Sequence, residues 1–374
     1  MLKRKLLALT IATVVSGASQ AAVDINGFAS IKAGMALSSD DELYGYDNDF
    51  SFKNESLAAL QIKSDLGDKL SVTAQLLGRG VEDWDTEFEW AFLSYDLTDK
   101  LRVNAGRLRM PFYKYSDFLD VGYAYDWSRV PQSVYGLGFN GIEGASFLYT
   151  NTLGVYDSNI QVVIGTQSDK LGSGTNVLDG QVDGVTGLAW ELSQDSHSFR
   201  AAYFRGKATF SGDGLDGFTS QLSGLGLAGL AQAIDIKDET AWFMGLGFSL
   251  DKNNWVVVSE VTKSEVEDSY LSQSLSYYVS VGHRFDNITP FISFEKDDNN
   301  AKTEIYAGLP TSSPLYTPVA SLVNSQELER NSFNVGVRYD FHPSAAFKAQ
   351  YTNSDNKTAD RKDSVVVVGV DLVF

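Results

Sequence analysis

The 374-residue chain has no cysteine, so no disulfide contributes to its stability. Proline is scarce, at seven residues, which leaves long segments free to join a hydrogen-bonded sheet. Beyond residue 21 no run reaches eighteen consecutive apolar residues, which excludes a membrane protein built of helices. Positive charge is also in deficit: 30 Lys and Arg against 48 Asp and Glu give a formal charge of −18. A nucleic-acid partner requires a basic footprint, and none is present. What the chain does have is 33 Gly, 18 Tyr and 22 Phe.

The first 21 residues read as a cleaved secretory signal peptide. Lys3, Arg4 and Lys5 form a basic start, residues 6–15 an apolar run, and Ser19-Gln20-Ala21 a small-residue cleavage site. Removing them takes away three basic and no acidic residues, moving the formal charge to −21. Residues 22–374 are expected to form one domain.

From Val23 the apolar residues recur with period two, the mark of strands with one apolar face. Leu70, Val72, Ala74 and Leu76 alternate with Ser71, Thr73 and Gln75; Phe88, Trp90 and Phe92 with Glu87 and Glu89; Phe333, Val335, Val337, Tyr339 and Phe341 with Asn334, Gly336, Arg338 and Asp340. A soluble sandwich gives the same alternation, and the connections decide between the two. Short links near residues 66–69, 98–100, 150–157, 193–197, 251–253, 286–287 and 342–344 alternate with long polar ones at 38–55, 79–85, 110–140, 168–180, 211–237, 264–273, 299–329 and 354–361. Seven short and eight long connections join sixteen strands. The expected fold is therefore all-β: a transmembrane antiparallel barrel of sixteen strands, with short periplasmic turns, long extracellular loops and an apolar final strand ending at Phe374.

Residues 107–136 stand out as a long aromatic and acidic stretch without strand or helix period, and such a loop in a compact domain is functional or disordered. Its aromatic content argues against disorder, and it is expected to fold into the barrel and narrow it. Arg107 and Arg109, two apart, are both expected inward, because exposing arginine to lipid costs about 2–4 kcal/mol at mid-depth. Strict alternation with Leu101, Val103 and Ala105 opposes this for Arg107, so a register break is inferred at Ala105-Gly106. Arg102, Lys32, Lys63, Arg200, Arg284, Arg338 and Lys348 also fall on polar phases. Together with the loop residues Asp117, Asp120 and Asp126 they predict a constriction with basic wall and acidic loop, whose transverse field orders water and selects hydrophilic solutes.

Other signals carry less. The acidic clusters 40–49, 82–85 and 297–298 read as solvated loops, with bridging by divalent cations to anionic lipid as the sharper reading; none has metal-ligand spacing. Gly224, Gly226 and Gly229 match a dinucleotide fingerprint, but no strand-helix-strand unit surrounds them. Leu222, Leu225, Leu230 and Ala233 predict a short amphipathic helix in the same loop. No motif surrounds His197, His283 or His342 to make an enzyme, and no cofactor is expected.

The run from Gly106 to Tyr113, with Ser116-Asp117, Asp120, Gly122-Tyr123, Trp127-x-Arg129-x-Pro131 and Val134-Tyr135-Gly136, resembles the trimeric general porins of Gram-negative bacteria, in a gammaproteobacterial branch. The resemblance spans the whole mature chain, although the Pro-Glu-Phe-Gly-Gly type of motif found in well-known enterobacterial members is absent. It implies a homotrimer in the outer membrane, among lipid and lipopolysaccharide, with the third long loop as constriction. Arg107 and Arg109 map to the basic wall and Asp117, Asp120 and Asp126 to the acidic side. The expectation is a water-filled channel for passive diffusion of small hydrophilic solutes and ions. The alternatives are a solute-specific porin, in which Tyr113, Tyr115 and Trp127 form a stacking track, or a structural or adhesive protein of that membrane.

Overall fold

The computed structural model describes residues 23–171 and 178–374; the expected signal peptide and the central part of the fourth long loop lie outside them. Sixteen strands close an antiparallel barrel in which each pairs with its neighbours in sequence and β1 with β16. They are β1 (Val23–Ala36), β2 (Leu57–Gly67), β3 (Leu70–Arg79), β4 (Thr86–Thr98), β5 (Leu101–Arg109), β6 (Gly141–Leu153), β7 (Tyr156–Leu171) and β8 (Leu178–Gln194). The second half comprises β9 (His197–Ser211), β10 (Ile236–Lys252), β11 (Trp255–Val266), β12 (Gln273–His283), β13 (Ile288–Asn300), β14 (Leu328–His342), β15 (Ala345–Asn356) and β16 (Arg361–Val373). Closure leaves no open sheet edge, as a sheet in lipid requires.

Period-two alternation sorts the side chains. Leu60, Leu93, Leu246, Val279, Ile292, Phe333 and Val335 are exposed on the outer face, whereas Ser276, Ser280, Ser293, Asn334, Lys348, Gln350 and Asp371 are buried inside. That is the inverse of a soluble protein and the arrangement a bilayer demands. At the seam, Phe374 exchanges backbone hydrogen bonds with Gly27. Its ring covers Gly27 so closely that a Cβ there would collide with it, which is why the position takes glycine.

All seven short and eight long connections fall where the sequence places them, and the third long loop spans residues 110–140. Two details differ. β7 and β8 run on to Leu171 and from Leu178, making the fourth loop shorter than expected. The single helix expected in the fifth loop is two, α2 (Asp213–Gly224) and α3 (Ala228–Ile234), broken where Gly226 adopts φ +80°. Leu222 and Ile234 are buried there, but Leu225 is exposed. Together with α4 (Tyr316–Asn324) of the seventh loop and Tyr270 of the sixth, these helices form an apolar cluster above the wall residues Ala208, Phe210 and Ile236, capping one side of the long-loop end.

The alternation of Phe88, Trp90 and Phe92 on one face does not hold. The register of β4 against β3 shifts between Leu76–Phe88 and Gln75–Trp90, making Glu89 a bulge residue. Phe88 remains outside, while Phe92 turns inward onto the packed interior. A bulge places two consecutive residues on one partner and so reverses the phase beyond it.

Candidate functional site: the third loop inside the barrel

The third loop leaves β5 at Met110 and returns to β6 at Asn140, and a backbone hydrogen bond of 2.7 Å between these two residues closes its neck. Between them it descends through the lumen. Tyr123 donates its hydroxyl to the carbonyl of Pro343, in a short turn at the opposite end of the barrel, at 2.8 Å. The loop therefore reaches the full height of the wall.

Three polar anchors hold it. The first is at the loop's start, where Arg109 lies between the carboxylates of Glu89 and Asp120 and donates to the Ser116 carbonyl at 3.1 Å. Arg79 reaches the same two carboxylates at 2.9 and 3.2 Å. Burial raises the Asp120 carboxyl, but the adjacent Arg109 and Arg79 charges outweigh it and hold the group below its ordinary value. The bulge at Glu89 is what brings that carboxylate to the cluster.

The second anchor lies beneath the middle of the loop. The Lys348 ammonium donates to the carbonyls of Gly122, Tyr125 and Trp127 at 2.5, 2.6 and 2.9 Å and meets Asp371 at 2.9 Å. Lys32 donates to the Ser128 carbonyl at 2.5 Å and lies 3.3 Å from the same carboxylate. Gly122 sits against Asp371 and Ser30, where any Cβ would clash, so only glycine lets the chain approach this closely. Beside it, Arg338 donates to the carbonyls of Tyr123 and Tyr125 at 2.8 and 3.0 Å.

The third anchor holds the returning limb, which carries the short helix α1 (Gln132–Tyr135). Glu260 accepts from the Tyr135 hydroxyl, from Tyr278 at 2.8 Å and from the Lys114 amide at 2.8 Å. Glu295 accepts from the amide and hydroxyl of Ser133. Around these anchors, loop aromatics pack on wall aromatics, Phe112 on Phe243 at 4.6 Å between centroids and Trp127 on Tyr278 at 5.6 Å.

The expected basic wall is therefore rearranged. Arg107 faces outward: β5 keeps unbroken register with β6, pairing Val103 with Phe147, Ala105 with Ala145 and Arg107 with Glu143, whose carboxylate lies 3.8 Å away. The break inferred at Ala105-Gly106 is absent. Gly106 takes φ +139° without shifting phase, and the bulge lies in β4 instead. At the long-loop end of the strand Arg107 remains half exposed beside an acid, which lowers the cost that made an outward arginine implausible at mid-depth.

Arg109, Lys32 and Arg338 gather on the loop, whereas Arg102 forks onto Asp96 beside a short turn. Lys63 lies on an inward phase in register with Thr73, with no ion-pair partner among the described residues. Asp120 is in direct contact with its arginines rather than opposite them across water. Asp117 is open to the lumen and Asp126 lies 3.9 Å from Arg338; burial within the barrel raises both carboxyls. Tyr113 and Trp127 are buried, with Trp127 donating to Ser280 at 3.0 Å, so they build the loop's core instead of a stacking track. Tyr115 alone of the three is half buried; it lines a cavity together with an edge of Trp127.

That cavity, of about 360 Å³, lies toward the short turns and is lined by Asp126, Asp251, Arg284, Arg338 and Asp340. A second, of about 430 Å³, lies toward the long loops among Tyr44, Ser133, Thr262, Asp297 and Arg330. The first loop also turns inward: Tyr46 is buried on Val365 and Val367, and Arg129 pairs with Glu55 while stacking 4.3 Å from the centre of Tyr44. Among the described residues no cluster of His, Asp and Glu could hold a metal ion.

No family model and no curated protein matches the chain. Solved structures do. The outer membrane channel DcaP of Acinetobacter baumannii aligns over 96% of this chain and 99% of its own, at 12% identity and a TM-score of 0.60. The anion-selective porin from Comamonas acidovorans aligns over 95% and 100%, at 12% identity and 0.60, and OmpT of Vibrio cholerae in its trimer form over 95% and 100%, at 13% identity and 0.57. The fold is that of the outer-membrane porins. At such low identity the likeness concerns the backbone path, and the chemistry of the lumen is that of this chain's own residues.

Sequence reasoning missed Glu89, Glu260, Glu295 and Asp371 as wall partners of the loop. Each is one of several acids on its strand, and a water-filled lumen accepts any polar residue, so nothing in the alternation marks these four. The usable signal was the contrast: Glu260 sits in Trp255-Val-Val-Val-Ser-Glu-Val and Asp371 in a run of valines.

Proposed function

We propose that the protein is an outer-membrane porin, a passive channel for small hydrophilic solutes and ions with the third loop as its constriction. One observation carries the reading: a closed barrel, apolar outside and polar inside, contains a loop anchored to its inner wall from β1 round to β16. Such an anchored loop divides the lumen into small polar compartments, which favours a narrow, solute-discriminating channel over a wide one. In this reading the short turns face the periplasm and the long loops the exterior. Selectivity is set by Arg338, Arg284, Asp126, Asp251 and Asp340, the charges that line the compartment toward the short turns, with Asp117 above them. Nothing in the reading calls for catalysis or a cofactor.

The outer face supports a homotrimer. Across β1 to β6 it is rich in small residues, Ala29, Ala33, Ala58, Ala74, Ala91, Ala105 and Ala145, set among Phe88, Tyr95, Phe147 and Tyr149, whereas β8 to β15 present a longer aromatic arc of Trp190, Tyr203, Phe248, Trp255, Phe294, Phe333 and Phe347. Lipid interfaces favour the aromatic side chains, and close packing between protein surfaces favours small ones.

Planar-bilayer recording on the purified protein tests the assignment. The expected result is an ohmic conductance whose reversal potential in a salt gradient moves toward cation preference in Arg338→Ala and Arg284→Ala and stays unchanged in Arg107→Ala. A protein that inserts without conducting would leave only a structural or adhesive role.

A further inference from the structure

We propose that the lumen contains a binding site for amphipathic aryl solutes, in which an apolar cavity beside the returning limb of the third loop takes the ring and the polar cavity next to it takes a neutral hydroxylated head. The proposal deepens the channel reading and rests on it. A membrane barrel that only conducts small polar solutes needs a polar interior. Here the inward phases of β8, β9 and β10 carry Val185, Phe204, Ala208, Phe210 and Phe243 in one sector. The loop adds Phe112 and Phe139, yet the surfaces do not close: a cavity of about 330 Å³ remains between them. That volume is at the lower end of the range found for ligand sites and well above what a benzene ring needs. Water gains few hydrogen bonds against such walls, so a ring displaces it favourably.

Gln167, Arg205, Ser264, Glu265 and Ser272 interrupt the otherwise apolar lining, and one of them is unsatisfied. Gln167 is 5% exposed, borders the cavity, and its amide nitrogen has no hydrogen-bond partner among the described residues. A buried unpaired amide costs free energy that an acceptor on the ring would recover. On the opposite side the cavity meets the polar compartment of about 430 Å³ at Gly136, Leu137, Phe243 and Ser264, which line both. That compartment offers Tyr44, Thr262, Ser274 and Ser276, while its two charges neutralise each other, with Arg330 2.7 Å from Asp297. Hydroxyl groups fit this lining, and a net charge finds no free counter-ion in it.

The test is isothermal titration of the purified full protein in detergent with p-nitrophenyl β-glucoside and with glucose. The wild type is compared with Ala208→Phe, which fills the cavity, and with Gln167→Leu, which keeps its shape. The aryl glucoside is expected to bind about tenfold or more tightly than glucose. That advantage should disappear in Ala208→Phe and fall in Gln167→Leu, with both variants retaining the circular dichroism of a folded barrel. Equal binding of the two sugars by the wild type, or an aryl preference surviving in Ala208→Phe, overturns the site. Bilayer conductance of the same preparations reads the channel separately, so a conducting protein without aryl preference loses only this inference.

Discussion

The buried acids and bases of the third loop do different work although they share one lumen. Asp120 is held below its ordinary value by Arg109 and Arg79 against the effect of burial, so its ion pairs stabilise the loop throughout the neutral range. That stabilisation is lost only as the pH falls through the lowered value. Asp117 and Asp126 are raised by burial and protonate first on acidification, while the anchor is still intact. Acid titration in bilayers should therefore proceed in two stages. Cation preference declines first, at unchanged conductance, and conductance becomes noisy only below the ordinary carboxylate range. In Asp120→Asn the second stage should be missing, because the loosened loop already produces its noise at neutral pH. A single transition shared by wild type and variant would separate Asp120 from the loop's anchoring. Arg109→Ala is the harsher change, leaving Glu89 and Asp120 buried without that partner at a cost of about 3–5 kcal/mol.

Elements were legible in the sequence where a repeating physical constraint acts on every residue, and illegible where one local event decides. Lipid outside and water inside impose alternation on every strand, so the strand count and the identity of the third loop emerge from period and spacing alone. The bulge at Glu89 is one extra residue, invisible to a count of alternation, and it both turns Phe92 inward and delivers a carboxylate to Arg109. Arg107 and Arg109 looked equivalent because they are two apart; the strand's end frees only the second to bend into the lumen. The residue pattern also set the loop's aspartates across the pore from wall arginines, as the two sides of a transverse field. In the structure much of the hold on its middle comes from Lys348, Lys32 and Arg338 on the loop's own carbonyls, which carry no signature of residue type. Lys348→Met should accordingly free the middle of the loop, since it strands three carbonyls and leaves Asp371 with Lys32 as its one remaining ion-pair partner among the described residues, at a cost of about 3 kcal/mol or more. The measurable outcome is a larger and more fluctuating single-channel conductance with the barrel's circular dichroism preserved. Conductance identical to wild type would mean that aromatic packing alone fixes the loop.

For the whole molecule, one side of the barrel is finished and the other is not. The sector above β8 to β14 is capped by α2, α3 and α4 and faces outward with aromatic side chains suited to lipid. Among the described residues the sector of β1 to β6 has no α-helical cap, and its outer face combines a group of alanines with Leu60, Ile62, Val72 and Leu93 and with the aromatic side chains of Phe88, Tyr95, Phe147 and Tyr149. A barrel surrounded only by lipid has no reason to differ so much around its circumference, because the bilayer is the same on every side. The trimer proposed above would supply the reason, and three copies joined through this sector would leave the aromatic arc of β8 to β15 as the lipid-facing perimeter of the assembly. Introducing a charge there separates the two environments experimentally. Ala74→Glu and Val72→Glu are expected to convert a trimer that resists dissociation in mild detergent into monomers while the barrel stays folded, read by light scattering and circular dichroism. The same charge at Val279 or Val335, on the aromatic arc, should leave the oligomer intact. If both sets of variants remain trimeric, or neither wild type nor variant is larger than a monomer, the alanine sector is not the interface.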